Sequence, residues 1–182
     1  MSAAERTKWD ARYGAPGYAM GEGPKPFLLE FAPLLPSKGL ALDLACGEGQ
    51  NLVWLSGKGF VGTGVDVSSV GLWKAAALAE TSGASVEWVC RDLEEWDPGD
   101  RVWDVVVCSH FLLRDLVPRI RRAVRPGGLV LMELPMVGST LSPRYLVEPN
   151  ELLRWFTDFR VLRYAEVVRD EVHVARIAAR RP

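Results

Sequence analysis

Asp43-Leu44-Ala45-Cys46-Gly47-Glu48-Gly49 follows the apolar residues Leu40-Ala41-Leu42 and runs into Gln50-Asn51-Leu52-Val53, where the spacing becomes helical. A strand that passes through a tight turn into a helix needs residues that accept unusual backbone angles and let a ligand come close, and Gly47 and Gly49 supply both. The start of the helix also presents backbone N–H groups that no earlier turn can satisfy. Asp66, in the apolar run at 62–67, lies about where the acid of a nucleotide-binding βαβ unit reaches the ribose hydroxyls. Loop and acid together point to an adenosine-type ligand in an α/β sheet.

Outward from that stretch, short Val- and Leu-rich runs alternate with helical spacing, the pattern of a parallel sheet covered by helices. Strands are predicted at 40–45, 62–67, 85–90, 103–109 and 128–134, and helices at 27–35, 51–58, 69–80 and 117–124. Pro118 suits a first helical turn, and Arg125-Pro126-Gly127-Gly128 stops that helix. Residues 135–149 read as a Gly-, Ser- and Pro-rich loop, 150–156 as a short helix, and the alternating runs 160–168 and 171–179 as a hairpin meeting at Arg169-Asp170. The expected fold is a doubly wound α/β domain: a seven-stranded, mostly parallel sheet with an antiparallel C-terminal hairpin and helices on both faces.

At 182 residues and 48% hydrophobic, the chain has material for one core, a single domain over 1–182, with 1–35 as an aromatic cap carrying Trp9, Tyr13 and Tyr18. The first residues lack an apolar secretion core, and no run approaches the roughly 20 residues of a membrane span, so a cytoplasmic protein without a membrane partner is expected. With 22 basic and 23 acidic residues the net charge is -1, which gives no global attraction for nucleic acid. Cys46, Cys90 and Cys108 are odd in number and sit in strand-like runs; they read as reduced and packed, and no metal site is expected.

Charge narrows the ligand. Leu52 occupies the position where dinucleotide loops carry their third glycine, and Glu48 puts a carboxylate where a pyrophosphate would need N–H groups. A diphosphate would be repelled there, whereas S-adenosylmethionine has no phosphate and carries a sulfonium cation and an amino-acid tail.

The same residues resemble the Rossmann-type, class I S-adenosylmethionine-dependent methyltransferases. Residues 42–49 are similar to the family's first motif, Val65-Asp66-Val67-Ser68 to its second, Arg91-Asp92-Leu93 to the adenine corner after the third strand, and Arg125-Pro126-Gly127-Gly128-Leu129 to the turn into the fifth. More narrowly, Trp9-Asp10-Ala11-Arg12-Tyr13, Gly21-Glu22-Gly23-Pro24-Lys25-Pro26 and Phe111-Leu112-Leu113-Arg114 resemble the tellurite-resistance and thiopurine-like small-molecule enzymes. The resemblance implies S-adenosyl-L-methionine as cofactor, held by Asp43, Ala45, Cys46, Gly47, Gly49, Gln50, Asn51, Asp66, Val67, Asp92, Leu93, Cys108 and Ser109, with Trp9, Tyr18 and Gly21 from the cap. The C-terminal part departs from the tellurite-type pattern, so the acceptor-handling residues of those enzymes have no matched positions here.

Methyl transfer from a sulfonium is an in-line displacement with an activated leaving group, so positioning dominates and a base is optional. His110, after the fourth strand, is the candidate base, beside the alternative that it only lines the site. Arg114 is the candidate for an oxyanion, while Arg119, Arg121, Arg122 and Arg125 read as a solvated helix face. His173 reads as a strand residue; Trp54, Trp73, Trp88, Trp96, Trp103 and Trp155 read as core or rim packing. The expected acceptor is a small molecule, a thiol or an oxyanion such as tellurite, and the expected assembly a monomer or homodimer. The alternatives are an RNA or protein methyltransferase, and a nucleoside- or NAD-binding module without methyl transfer.

Overall fold

The structure, a computed structural model, describes residues 3–169 and 172–182. The chain forms two compact units, Met1–Asp97 and Pro98–Pro182. Asp170 and Glu171, at the expected hairpin turn, lie outside the described residues.

In the first unit, strands β1 (Gly39–Leu44), β2 (Phe60–Asp66) and β3 (Val86–Cys90) pair in parallel in the order β3-β2-β1. Helices α3 (Gln50–Ser56) and α4 (Ser69–Ser82) make the crossovers; α1 (Ala3–Tyr13) and α2 (Pro26–Phe31) precede them. Sequence reading did not single out α1. The helix expected at 27–35 ends at Phe31 and tightens into a 3-10 turn over Ala32–Leu34, because Pro33 has no N–H to continue it.

β2 shows how this unit closes without a third loop glycine. Leu52 of α3 is fully buried, and a Cβ on Gly62 would lie 3.0 Å from its Cδ2, so the strand, rather than the helix, supplies the glycine that permits close helix–strand packing. Two residues on, a Cβ on Gly64 would lie 2.6 Å from the indole of Trp88 and 2.9 Å from Cys46 Sγ. Alternate glycines thus open one face of β2.

In the second unit, β4 (Trp103–Ser109) pairs in parallel with β5 (Val124–Pro135), and β7 (Val172–Arg180) pairs antiparallel with both β5 and β6 (Arg160–Arg169). Helices α5 (Val117–Ala123) and α6 (Glu151–Arg154) complete it. The sequence placed a stop at Arg125–Gly128. In the structure, Trp103 pairs with Val124 and Val105 with Leu129, so Arg125-Pro126-Gly127-Gly128 bulges from a strand already begun, with Gly127 at φ 79°.

Seven strands, crossover helices and an antiparallel C-terminal pair give the α/β fold expected from the sequence. Two packing expectations fail. Trp73 is 72% exposed, because it occupies the outer face of α4, and Cys90 is exposed at the end of β3, which pairs only with β2 among the strands of its unit. Among the described residues no helix is long and apolar enough to cross a membrane.

Gly64→Val should destabilise the protein by about 1–3 kcal/mol in urea unfolding, through overpacking against Trp88 and Cys46. Trp73→Ala, at an exposed site, should stay within about 0.5 kcal/mol of wild type.

Candidate functional site

In the first unit the turn after β1 is built on left-handed backbone: Ala45 at φ 56°, Gly47 at 55° and Gly49 at 80°. Cys46, buried, donates its N–H to the Val65 carbonyl at 3.1 Å, and Gly49 N–H closes the turn on the Cys46 carbonyl at 3.0 Å. Asp66 fixes the turn from below: Oδ2 accepts from Gly47 N–H and Oδ1 from Ser68 N–H, both at 2.8 Å. Burial raises the Asp66 carboxyl above the usual range, against the lowering effect of these N–H groups. Val67 is buried beside it, and Ser68 caps α4 by accepting from Gly71 N–H.

Asp43, the penultimate residue of β1, is buried; Oδ2 accepts from Asn51 Nδ2 at 3.1 Å, and buried Oδ1 has no partner. Burial, with a further push from Asp66, lifts its carboxyl to about 7, although the Asn51 bond works the other way. The folded chain therefore holds a proton there that an unfolded chain releases near pH 4, so this group's contribution to stability falls as pH rises from about 4 to about 7.

The N-terminal segment lies on this turn. Glu48, fully buried, accepts from Ala19 N–H at 3.1 Å, Met20 N–H at 3.2 Å and Lys74 Nζ at 3.3 Å. Gln50 donates to the Gly21 carbonyl at 2.6 Å, Asn51 accepts from Lys25 N–H at 2.9 Å, and Ser68 donates to Asp10 at 2.5 Å. The Tyr13 ring lies against Gly47 and Gly71 and stacks on Trp9 at 5.5 Å. Burial, then Asp66, Cys46 and Glu48, push the Tyr13 hydroxyl far upward and keep it neutral. Lys74 lies 6.0 Å from the Tyr18 ring centroid. At the end of β3, Asp92 accepts from Glu94 N–H at 2.9 Å and Leu93 is buried.

Glu48 is not open to a ligand cation, since backbone donors and Lys74 already surround it. Asp43 holds the unmatched acceptor. Asp10, Tyr13 and Lys74 complete the arrangement. An acid within an N-terminal helix, such as Asp10, or a lysine in a mid-helix turn, carries no distinguishing signal in the sequence.

In the second unit, Cys108 is buried at the end of β4, Ser109 pairs in register with Glu133, and His110 follows at φ 55°. His110 Nε2 lies 3.1 Å from Glu133 Oε1, and Arg176 Nε donates to Glu133 Oε2 at 2.5 Å. Burial would raise the Glu133 carboxyl; His110 and Arg176 outweigh it and hold it below the usual range. Glu133 and Arg176 were missed in the sequence, although an isolated acid in Leu129–Leu134 and an isolated base in the apolar β7 run were visible, and buried opposite charges require pairing. Arg114, the candidate for an oxyanion, is engaged by the chain itself: its guanidinium grips Glu151 at 2.6 and 3.0 Å and the Leu146 carbonyl at 3.0 Å. His173 pairs with Val168, as a strand residue should.

Residues 41–128 match the family described as "Methyltransferase domain". That match supports reading the chain as a class I S-adenosylmethionine-dependent methyltransferase. A curated relative, the putative methyltransferase YqeM of Bacillus subtilis, is 32% identical over 55% of this chain and 44% of its own length. The chain's matches span between a third and three fifths of the length of the curated relatives. TehB from Haemophilus influenzae shares the fold with a TM-score of 0.76 over 98% of this chain and 67% of its own, at 20% identity. The 1,6-didemethyltoxoflavin-N1-methyltransferase of Burkholderia thailandensis does so with a TM-score of 0.75 over 98% and 88%, at 22% identity.

Glu48→Gln removes the charge that binds Ala19, Met20 and Lys74. Limited proteolysis around residues 17–21 should then accelerate about tenfold, equivalent to ~1.4 kcal/mol of local opening. Cleavage in the Pro-rich loop at 135–149 should keep its rate.

Proposed function

We propose that this chain transfers a methyl group from S-adenosylmethionine to a small-molecule acceptor. The carrying observation is Asp43: a buried carboxylate with one oxygen lacking a partner, under a turn of left-handed residues. A cationic ligand, or a water that it holds, satisfies that oxygen, and a phosphate would not. Asp43 and the turn Ala45–Gly49 would hold the methionine part, Asp66 with Val67 the ribose, and Asp92 with Leu93 the adenine, with Gln50, Asn51, Trp9, Tyr18 and Gly21 supporting the turn from the cap. When bound, the cofactor supplies an activated methyl group on sulfur.

Three observations support a small acceptor. The net charge of -1 supplies no general attraction for RNA. The Burkholderia thailandensis neighbour is named as an N1-methyltransferase of 1,6-didemethyltoxoflavin. His110 offers a nitrogen base at the carboxyl end of a parallel strand, the end at which α/β sheets bind ligands. A thiol or an oxyanion such as tellurite is the acceptor class that the resemblance implies, in a cytoplasmic setting.

Calorimetry with S-adenosylhomocysteine should show one saturable site, weakened about 10- to 150-fold by Asp66→Ala, the 1.5–3 kcal/mol of hydrogen bonds to a charged group. NAD should not compete. Affinity should also rise by on the order of tenfold from pH 5.5 to pH 7, because the ligand's cation requires Asp43 without the proton it carries below about 7. Asp43→Asn should flatten that slope. Labelled methyl donor offered with thiols, tellurite and short RNAs should mark a small molecule; label in RNA alone would refute the acceptor assignment.

A further inference from the structure

Glu133 on β5 and Arg176 on β7 face each other in register, each side chain only 6% exposed. A buried ion pair can commonly be replaced by apolar residues without loss of stability, so packing alone does not account for it. Its second carboxylate oxygen does. Arg176 Nε occupies Oε2 at 2.5 Å, which leaves Oε1 directed at His110 Nε2 at 3.1 Å. An ionised carboxylate only accepts, so the proton on this edge of the imidazole belongs to Nε2, and Nδ1 carries the lone pair.

The backbone enforces the same arrangement. His110 N–H donates to the Glu133 carbonyl at 2.8 Å, so residue 110 is tied to residue 133 through both main chain and side chain. Its φ of 55° is a left-handed conformation that a histidine keeps only where the surroundings impose it. The imidazole is 43% exposed while Glu133 is 6% exposed, so the ring keeps an open part outside its contact with Glu133. Glu133 from β5 meets the ring, and Arg176 from β7 pairs with Glu133 behind it.

We propose that Glu133, braced by Arg176, is a positioning residue that locks His110 in the Nε2–H tautomer, so that Nδ1 takes the proton of a methyl acceptor bearing a thiol or hydroxyl. This rests on the methyl-transfer reading above and selects within it. For an acceptor X–H, the bond formed is X–CH3 and the bond broken is CH3–S of the sulfonium, whose electron pair stays on sulfur. The X–H proton passes to His110 Nδ1 and then to water. A fully ionised oxyanion has no such proton to lose and would approach a carboxylate whose guanidinium partner is already engaged; Arg114 is likewise held by Glu151.

The deciding experiment is 15N–1H long-range correlation of the imidazoles in the full-length chain above pH 8, with His173, the other of two histidines, as internal reference. Wild-type His110 should show a single Nε2–H tautomer. Glu133→Gln, which can donate as well as accept, should give a mixture; where that variant fails to fold, Glu133→Gln with Arg176→Met removes both charges. A wild-type Nδ1–H form or mixture, or an unchanged tautomer in the variant, would overturn the proposal.

The second arm is turnover with thiophenol, catechol and tellurite. Methylation of a thiol or hydroxyl probe, with kcat reduced about 10- to 100-fold by Glu133→Gln, KM nearly unchanged and the acidic limb of the pH profile displaced, agrees with a positioned base. Methylation of tellurite alone would contradict it. Calorimetry with S-adenosylhomocysteine on the same variants separates the two claims. Loss of binding in wild type defeats the cofactor reading, whereas intact binding with a free tautomer defeats only this one.

Discussion

A carboxylate buried at the end of β1 with one oxygen unmatched is the constraint around which the first unit is arranged. Placing Asp43 away from water costs free energy unless its charge is compensated, and Asn51 compensates only half of it. The chain meets the remainder by keeping a proton, at about 7 instead of the ordinary carboxylate value near 4. A site in that condition is poised: an arriving cation removes the need for the proton. The turn from Ala45 to Gly49 is left-handed at Ala45, Gly47 and Gly49, and Asp66 holds it through Gly47 N–H.

The acids crowded around the turn have different duties, set by their donors. Asp66 is matched by two backbone N–H groups, and Glu48 by two more together with Lys74, so neither leaves an unmatched oxygen for a cation. Asp10 holds α1 to the start of α4 through Ser68. Once these are assigned, Asp43 is the carboxylate left to answer an external cation. The same economy of donors appears in the second unit, where Glu133 divides its two oxygens between Arg176 and His110.

Much of this was legible in the sequence because it depends on local periodicity and glycine placement. The strand–turn–helix around Gly47 and Gly49, Asp66, the crossover helices and the antiparallel C-terminal pair all announce themselves over a few residues. Long-range pairing was not legible. Glu48 reads as a negative charge in a loop, and only the fold brings Ala19 and Met20 to it. Arg114 reads as a free cation beside a strand end, and only the fold brings Glu151, 37 positions away, against it. Glu133 and Arg176, 43 positions apart, are isolated charges in apolar runs until the antiparallel register pairs them. Leu52 at the third-glycine position argued against a diphosphate, and the structure adds its physical complement in Gly62 on β2.

The most direct test of the account is the carboxyl titration of Asp43 by 13C NMR, assigned through Asp43→Asn, in the free chain and at saturation with S-adenosylhomocysteine. The account expects a midpoint of about 7 in the free chain. On saturation the midpoint should fall below the ordinary carboxylate value near 4, as the ligand's ammonium pairs with the vacant oxygen. A midpoint that stays at its free value in the saturated protein would contradict the claim that this carboxylate is the anchor of the cofactor site.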